Sequence, residues 1–165
     1  MTLVEFLQRR IAQVETVAQA AMQTPGAAHW QWVDGETDEV IKVDPFVDVD
    51  LTLSLRSVEE LHTYDWGGGG ALPDFVIHTA ESIWAPAALH MTVHDPAFVL
   101  ADCAGKRLIV DDHDGVHECT GPNLVSDPEH EDGTYGGPCN TLRALALPFA
   151  DHPEFQSEWA IQADI

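Results

Sequence analysis

A polar stretch near the C-terminus carries five side chains that could bind a metal ion. These donors lie within 27 residues: His113, His117, Cys119, His130 and Cys139. Zinc takes four nitrogen or sulfur ligands in a tetrahedron, commonly from two groups that a loop separates. The sequence therefore predicts a zinc site in which one group is His113, His117 and Cys119. Cys139 supplies the second group, and His130 could replace one of the four ligands.

Two alternatives for the same stretch remain open. Residues 111–140 are polar and rich in glycine and proline, and a loop of that length is usually functional, disordered or held by something else. It could be a solvated loop with incidental histidines. A Cys119–Cys139 disulfide could instead stabilise the fold by roughly 3 kcal/mol in the chain-entropy model, although a reducing cytosol disfavours it. The spacing of the donors matches no standard zinc finger.

His90 and His94 form a second candidate pair because four residues separate them. On one helix both rings would share a face and could bind a metal ion. However, Asp95-Pro96 has the pattern of a helix start, with a capping aspartate followed by proline. The favoured interpretation is that His94 packs at a helix junction. Cys103 lies in an apolar helical pattern and is predicted to belong to the core.

The N-terminal segment is predicted to be an amphipathic helix over residues 2–23, with Thr2 and Glu5 as a capping box and Pro25-Gly26 after its end. Its apolar residues recur at three- and four-residue steps: Leu3, Phe6, Leu7, Ile11, Val14, Ala18 and Ala21.

The middle of the chain has the two-residue period of strands. The clearest strand is 47–55, whose apolar residues alternate with Asp48, Asp50, Thr52 and Ser54. Shorter strands are predicted at 30–33, 40–43 and 75–77, with a turn at Asp34-Gly35. Strict alternation predicts a small antiparallel sheet with one solvent-exposed face. The glycines at 67–70 are predicted to form a flexible loop, since no lysine follows to bind phosphate.

The C-terminal half is predicted to be helical again. A short helix at 87–93 precedes a longer one that Asp95 caps and that continues to Val110. A final helix is capped by Asn140 or Thr141, and a last turn ends near Trp159. We therefore predict one α+β domain over residues 1–165, with 111–140 as a long polar loop.

The charge limits the classes of partner. Seven basic and 28 acidic residues give a formal net charge of −21. Nucleic acids and anionic membranes bind basic residues, so neither is expected to bind directly, whereas a basic protein would be attracted. No run of 18 apolar residues is present, and the N-terminus lacks the pattern of a signal peptide. A cytoplasmic location is expected.

Two stretches, 88–100 (ALHMTVHDPAFVL) and 139–153 (CNTLRALALPFADHP), are distinctive, as is the N-terminal helix with Phe6-Leu7. Together they resemble a family of small proteins of unknown function from actinobacteria and their phages. The resemblance implies a cytoplasmic or phage-encoded protein and carries no established activity. Relatives often have a Cys-x-x-Cys pair before the Cys-x-Thr-Leu-Arg motif. Here Cys119 is followed by Thr-Gly-Pro, so the second cysteine is absent.

Three functions follow as hypotheses. The first is a non-enzymatic binding or regulatory module that acts on another protein, with a structural zinc site. The second is a metal-dependent enzyme that uses the same histidines and cysteines; three protein ligands and an open position would favour it. The third is an acidic mimic of DNA that blocks a basic nucleic-acid-binding protein, because 21 charges equal those on about 36 Å of duplex.

Overall fold

The computed structural model describes residues 1–44, 52–63, 71–80, 83–115 and 139–161. The described residues form four α-helices and a three-stranded antiparallel sheet, which confirms the predicted α+β class. In chain order the elements are α1 Leu3–Ala21, β1 Trp30–Asp34, β2 Leu53–Thr63, β3 Ala71–Ala80, α2 Ala85–Val93, α3 Pro96–Asp112 and α4 Asn140–Ala146. Two short 3-10 helices, Leu147–Phe149 and Ser157–Trp159, follow α4.

Helix α1 begins with the predicted capping box. The Thr2 N–H donates to Glu5 Oε2 at 2.8 Å, and the Glu5 N–H donates to Thr2 Oγ1 at 3.1 Å. Two backbone donors at the helix start are therefore satisfied reciprocally. The helix ends at Ala21, two residues earlier than predicted. Gly26 then turns the chain with a φ of 97°, a conformation that favours glycine.

The sheet has the order β1-β2-β3, and both pairs are antiparallel. Trp32 lies opposite Leu55, and Asp34 lies opposite Leu53. Leu53 and Leu55 are buried, as their alternation predicts. Ser54 was predicted to face solvent, and this is wrong: it is buried, and its hydroxyl donates to the His78 carbonyl at 2.5 Å. That hydrogen bond replaces the contact with water that a buried hydroxyl loses.

Two predicted strands differ in the structure. The strand predicted at 47–55 is observed as β2 from Leu53 to Thr63, and residues 45–51 lie outside the described part of the chain. The run 40–43 is not a strand and makes one isolated bridge, Val33 to Val40. The turn before it does form: the Glu36 and Thr37 N–H groups each donate to Asp34 Oδ1 at 2.8 Å. Asp38 then takes a φ of 60°, and after it the Ile41 N–H donates to the Trp32 carbonyl at 2.8 Å, so the segment stays beside β1.

Helices α2 and α3 meet at the predicted junction. Asp95 Oδ1 accepts a hydrogen bond from the Phe98 N–H at 2.9 Å, so the predicted cap is confirmed. The other carboxylate oxygen, Asp95 Oδ2, accepts from the Trp30 N–H at 3.3 Å. Asp95 is buried. Its carboxylate accepts hydrogen bonds from the starts of both α3 and β1 and so links these two elements.

The cap of helix α4 lies one or two residues before the predicted caps. The residue at the cap position is Cys139, not Asn140 or Thr141, and Cys139 has an extended backbone with φ −67° and ψ 161°. Its carbonyl accepts the first helical hydrogen bond, from the Arg143 N–H at 3.0 Å. Asn140 is already helical, so its side chain is one position too late to cap.

The described residues divide into two compact units, Met1–Val14 with Asp102–Ile165, and Glu15–Ala101. In the first unit an aromatic cluster surrounds Phe6, which is fully buried. The ring centroid of Phe6 lies 5.0 Å from Trp159, 6.1 Å from Phe155 and 6.2 Å from Phe149. Edge and tilted contacts of this kind add to the free energy of burying the rings.

The second unit has its own core on one face of the sheet. Trp32, Leu53, Leu55 and Ala88 form a buried cluster, and partly buried side chains including Met91 pack against it. The indole N–H of Trp32 donates to the Ala88 carbonyl at 2.9 Å, which satisfies the polar atom of a buried tryptophan. The prediction that residues 1–165 are one domain stays a prediction.

Candidate functional site

Two of the five predicted zinc donors lie in the described part of the chain. His113 follows the end of α3, and Cys139 precedes the start of α4. His117, Cys119 and His130 lie outside the described residues. Within the described ranges, no three His, Cys, Asp or Glu side chains come together as a group able to hold a metal ion. The zinc site at His113, His117, Cys119 and Cys139 therefore stays a prediction.

The two described donors are held by their local structure. The His113 Nδ1–H donates to the Ile109 carbonyl at 2.7 Å, which fixes the ring against the last turn of α3. Ligating histidines are commonly oriented by such a bond from the other ring nitrogen. Cys139 is buried, at the residue where the chain enters α4. The two side chains thus flank the two ends of the segment that carries the remaining donors.

Cys103 belongs to the core, as predicted. It is 1% exposed, and its Sγ lies 3.8 Å from the Ile11 carbonyl oxygen in the first unit. No disulfide joins it to Cys139, the other cysteine that the structure describes. The alternative of a Cys119–Cys139 disulfide involves Cys119, which lies outside the described ranges.

His90 and His94 lie side by side at the C-terminal end of α2. Both side chains are exposed, and their ring centroids are 4.1 Å apart with an angle of 34° between the planes. The His94 Nδ1–H donates to the His90 carbonyl at 3.2 Å. The ring of Phe98 contacts His94 edge-on, with the centroids 5.1 Å apart. His94 thus contacts the start of α3 at the helix junction, and its side chain stays exposed. The choice between packing and metal binding stays a prediction.

A third pair, His29 and Glu59, is not apparent from the sequence because 30 residues separate the two side chains. His29 Nδ1 donates to Glu59 Oε1 at 2.5 Å, and the His29 backbone N–H lies within 3.3 Å of both carboxylate oxygens. The Val58 N–H donates back to the His29 carbonyl at 2.8 Å. Only the register of β1 against β2, which sets Trp30 opposite Ser57, brings these residues together.

The pair shifts the titration of both groups. The hydrogen bond to Glu59 raises the pKa of His29, and this effect outweighs the lowering by partial burial. Partial burial acts to raise the pKa of Glu59, but the hydrogen bonds with His29 outweigh it, so that pKa lies below its ordinary value. Both shifts favour the charged pair in the folded chain.

We expect replacement of Glu59 by glutamine to reduce stability in a pH-dependent way. The ion pair contributes fully between the ordinary pKa values of about 4.5 for Glu59 and 6.5 for His29. Its contribution falls as the pH rises through the raised pKa of His29, and as the pH falls through the lowered pKa of Glu59. Because the His29 side chain is 62% exposed, solvent screening limits the effect to about 0.2–1 kcal/mol.

Denaturant unfolding of the wild type and Glu59→Gln across this pH range measures the difference. Glutamine still accepts the backbone hydrogen bond, so the variant removes the charge and keeps the contact. The assignment would be contradicted by a stability difference between the wild type and Glu59→Gln that is the same at pH 5.5 and at pH 8.5. These two conditions are about three pH units apart.

Large apolar side chains are exposed on the second unit. Trp84, the residue before α2, is 74% exposed, and Phe98 and Val93 are 49% and 48% exposed. An indole as open as that of Trp84 is unusual, since tryptophan is highly buried on average. Trp84 is not apparent as an exposed residue from the sequence, because no local pattern separates it from the buried Trp32.

The fold and these sites define a small, strongly acidic α+β protein with paired histidines and an exposed tryptophan. The chain belongs to a family of unknown function, DUF6221, whose family model matches residues 1–161. The predicted membership in a family of unknown function is thereby confirmed. No significant match is found among curated proteins or among solved structures. In the part of the chain that the structure describes, no helix has the length and apolar character needed to cross a bilayer.

Proposed function

We propose that this chain is a non-enzymatic binding or regulatory module that acts on another protein. The observation that carries this proposal is the exposure of Trp84, whose side chain stands 74% open to solvent at the start of α2. Tryptophan is enriched among the few interface residues that supply most binding energy, because it buries a large rigid surface at low entropic cost. Trp84 is the proposed anchor of the contact with the partner.

Two carboxylates of the second unit, those of Glu59 and Asp95, resemble catalytic groups, but their hydrogen bonds support a structural role. The Glu59 carboxylate accepts from both the ring and the backbone of His29. The Asp95 carboxylate accepts from two backbone N–H groups. The Asp95 carboxylate thus joins the backbones of β1 and α3, and the Glu59 carboxylate on β2 holds the residue that precedes β1. These contacts support a module in which the carboxylates hold the scaffold together and the exposed surface contacts the partner protein.

The charge favours a basic partner. A formal net charge of −21 on 165 residues attracts positively charged surfaces and repels nucleic acid. Association should therefore be fast at low ionic strength and should slow as salt screens the charges. We propose a basic host or phage protein in the cytoplasm as the partner, in keeping with an actinobacterial or phage origin.

The proposed module also contains a structural zinc ion bound by His113, His117, Cys119 and Cys139. The fixed ring of His113 and the buried position of Cys139 support this part of the proposal. Zinc would supply a cross-link for a segment whose composition is polar and rich in glycine and proline. Four protein ligands give a closed, structural site, whereas an exchangeable water at the ion would favour the enzyme alternative.

Replacement of Trp84 by alanine should abolish capture of the partner. Truncation of a hot-spot residue costs about 2 kcal/mol or more, which is about a 30-fold loss of affinity. Immobilised wild type, Trp84→Ala and Val17→Ala are compared for retention of basic proteins from an extract of the source cells. Val17 is the matched control because it is an apolar side chain that is 64% exposed on α1.

The expected result is a basic protein retained by the wild type and Val17→Ala at about 0.05 M salt, and released at about 0.5 M. Equal retention by all three proteins would contradict the role of Trp84, and retention that is insensitive to salt would contradict the electrostatic part. Displacement of the retained protein by duplex DNA would favour the alternative in which the acidic chain mimics DNA.

A further inference from the structure

We propose that His90 and His94 form a second, solvent-exposed metal site that binds a divalent transition ion such as Ni²⁺, Cu²⁺ or Zn²⁺. This two-histidine site shares no ligand with the proposed zinc site, because its two ligands come from the end of α2. Both imidazoles are exposed, so an ion can reach them without rearrangement of the core. Imidazole nitrogen suits each of these three metals.

The separation of the rings fits binding to one ion. Two imidazoles bound at adjacent positions of a metal would have centroids about 4.5–5.2 Å apart, given nitrogen–metal distances of about 2.1 Å. The observed centroid distance is 4.1 Å with 34° between the planes. The rings therefore need to open by about 0.5–1 Å, which small rotations of exposed side chains can supply.

The hydrogen bond within the pair selects the ligand atom of His94. The His94 Nδ1–H donates to the His90 carbonyl at 3.2 Å, so the proton is on Nδ1 and the lone pair is on Nε2. This is the second-shell arrangement that orients histidines in metal sites. Phe98 contacts the same ring edge-on at 5.1 Å and limits its motion. His94 is thus partly positioned before an ion arrives.

The electrostatic surroundings favour a cation at this position. His90 lies in the last turn of α2, and His94 is its C-terminal cap, where the partial negative charge of the helix end is located. The net charge of −21 adds a long-range attraction for cations. Within the described residues no third ligating side chain joins the pair, so water would complete the shell and the ion would exchange readily.

The proposal is tested with Ni²⁺ as the probe. Binding of Ni²⁺ to the full wild-type chain is followed by calorimetry and by paramagnetic broadening of the histidine ring signals, and Cys119→Ser/Cys139→Ser is measured beside it to identify binding at the predicted zinc ligands. We expect His90→Ala and His94→Ala each to weaken Ni²⁺ binding by at least about tenfold, because a chelate needs both nitrogens. His78→Ala is the matched control, since His78 is an exposed histidine stacked on Phe75.

The substituted side chains are exposed. Circular dichroism of the alanine variants, with His90→Gln as a second substitution on the same helix, verifies that α2 is retained. Broadening should reach His90 and His94 together at the lowest Ni²⁺ concentrations. Affinity within twofold of the wild type in either alanine variant would overturn the proposal, as would an equal loss in His78→Ala. Loss of this binding only when Cys119 and Cys139 are replaced would assign it to the proposed zinc site instead.

Discussion

Replacement of Phe6 by alanine is expected to lower the free energy of unfolding by about 3–5 kcal/mol. The Phe6 ring is fully buried and lies within 6.2 Å, centroid to centroid, of Trp159, Phe155 and Phe149. The variant loses the buried ring and leaves a cavity that these aromatic neighbours fill poorly. Because small domains are stable by about 5–15 kcal/mol in all, such a loss is a large share of the total.

Urea unfolding of Phe6→Ala and Val17→Ala gives the comparison. Val17 lies on the same helix and is 64% exposed, so its truncation should change the free energy of unfolding by no more than about 0.5 kcal/mol. Phe6→Leu should fall between the two, since it keeps apolar volume but loses the edge contacts. A Phe6→Ala effect as small as that of Val17→Ala would mean that the aromatic cluster is not a cooperative core.

The second large effect concerns the predicted zinc site. Untagged wild-type protein should contain about one zinc ion per chain, and Cys119→Ser/Cys139→Ser should contain none. Structural zinc contributes about 10–16 kcal/mol to the folding of small zinc domains. Even a loss of about 3 kcal/mol would lower the melting temperature by about 6–12 °C in a chain of this size. Metal analysis and thermal unfolding of both proteins measure the two quantities.

Cys103→Ala is the control for loss of a cysteine. Cys103 is buried against Ile11 and belongs to the core, so the variant should keep its zinc while losing a little stability. An unchanged metal content and melting temperature in Cys119→Ser/Cys139→Ser would eliminate the zinc proposal. A zinc-free wild type would do the same and would leave the solvated loop as the interpretation of residues 111–140.

The parts of the fold that short-range chemistry determines could be predicted from the sequence. The capping box at Thr2 and Glu5 and the cap at Asp95 each depend on residues three positions apart. Such local hydrogen bonds form whenever the helix forms, so their residue types are sufficient evidence. The burial of Leu53 and Leu55 followed in the same way from a two-residue period.

The parts that depend on pairing between distant segments could not be predicted. The His29–Glu59 pair requires the register of β1 against β2, which no local pattern specifies. The error at Ser54 has the same origin, because the carbonyl that accepts from its buried hydroxyl, that of His78, belongs to the neighbouring strand β3. The start of α4 was misplaced by one residue, since Cys139 adopts the extended conformation expected of its neighbour Asn140.

The carboxylate of Asp95 bridges two amides that are far apart in sequence, Phe98 at the start of α3 and Trp30 at the start of β1. A second bond, from the Ala97 N–H to the Ala28 carbonyl at 3.1 Å, lies beside it. The first turn of α3 and the first residue of the sheet therefore cannot fray independently, because opening either one exposes the partner amide. We therefore expect the α2–α3 corner and the edge of the sheet to open together in local unfolding.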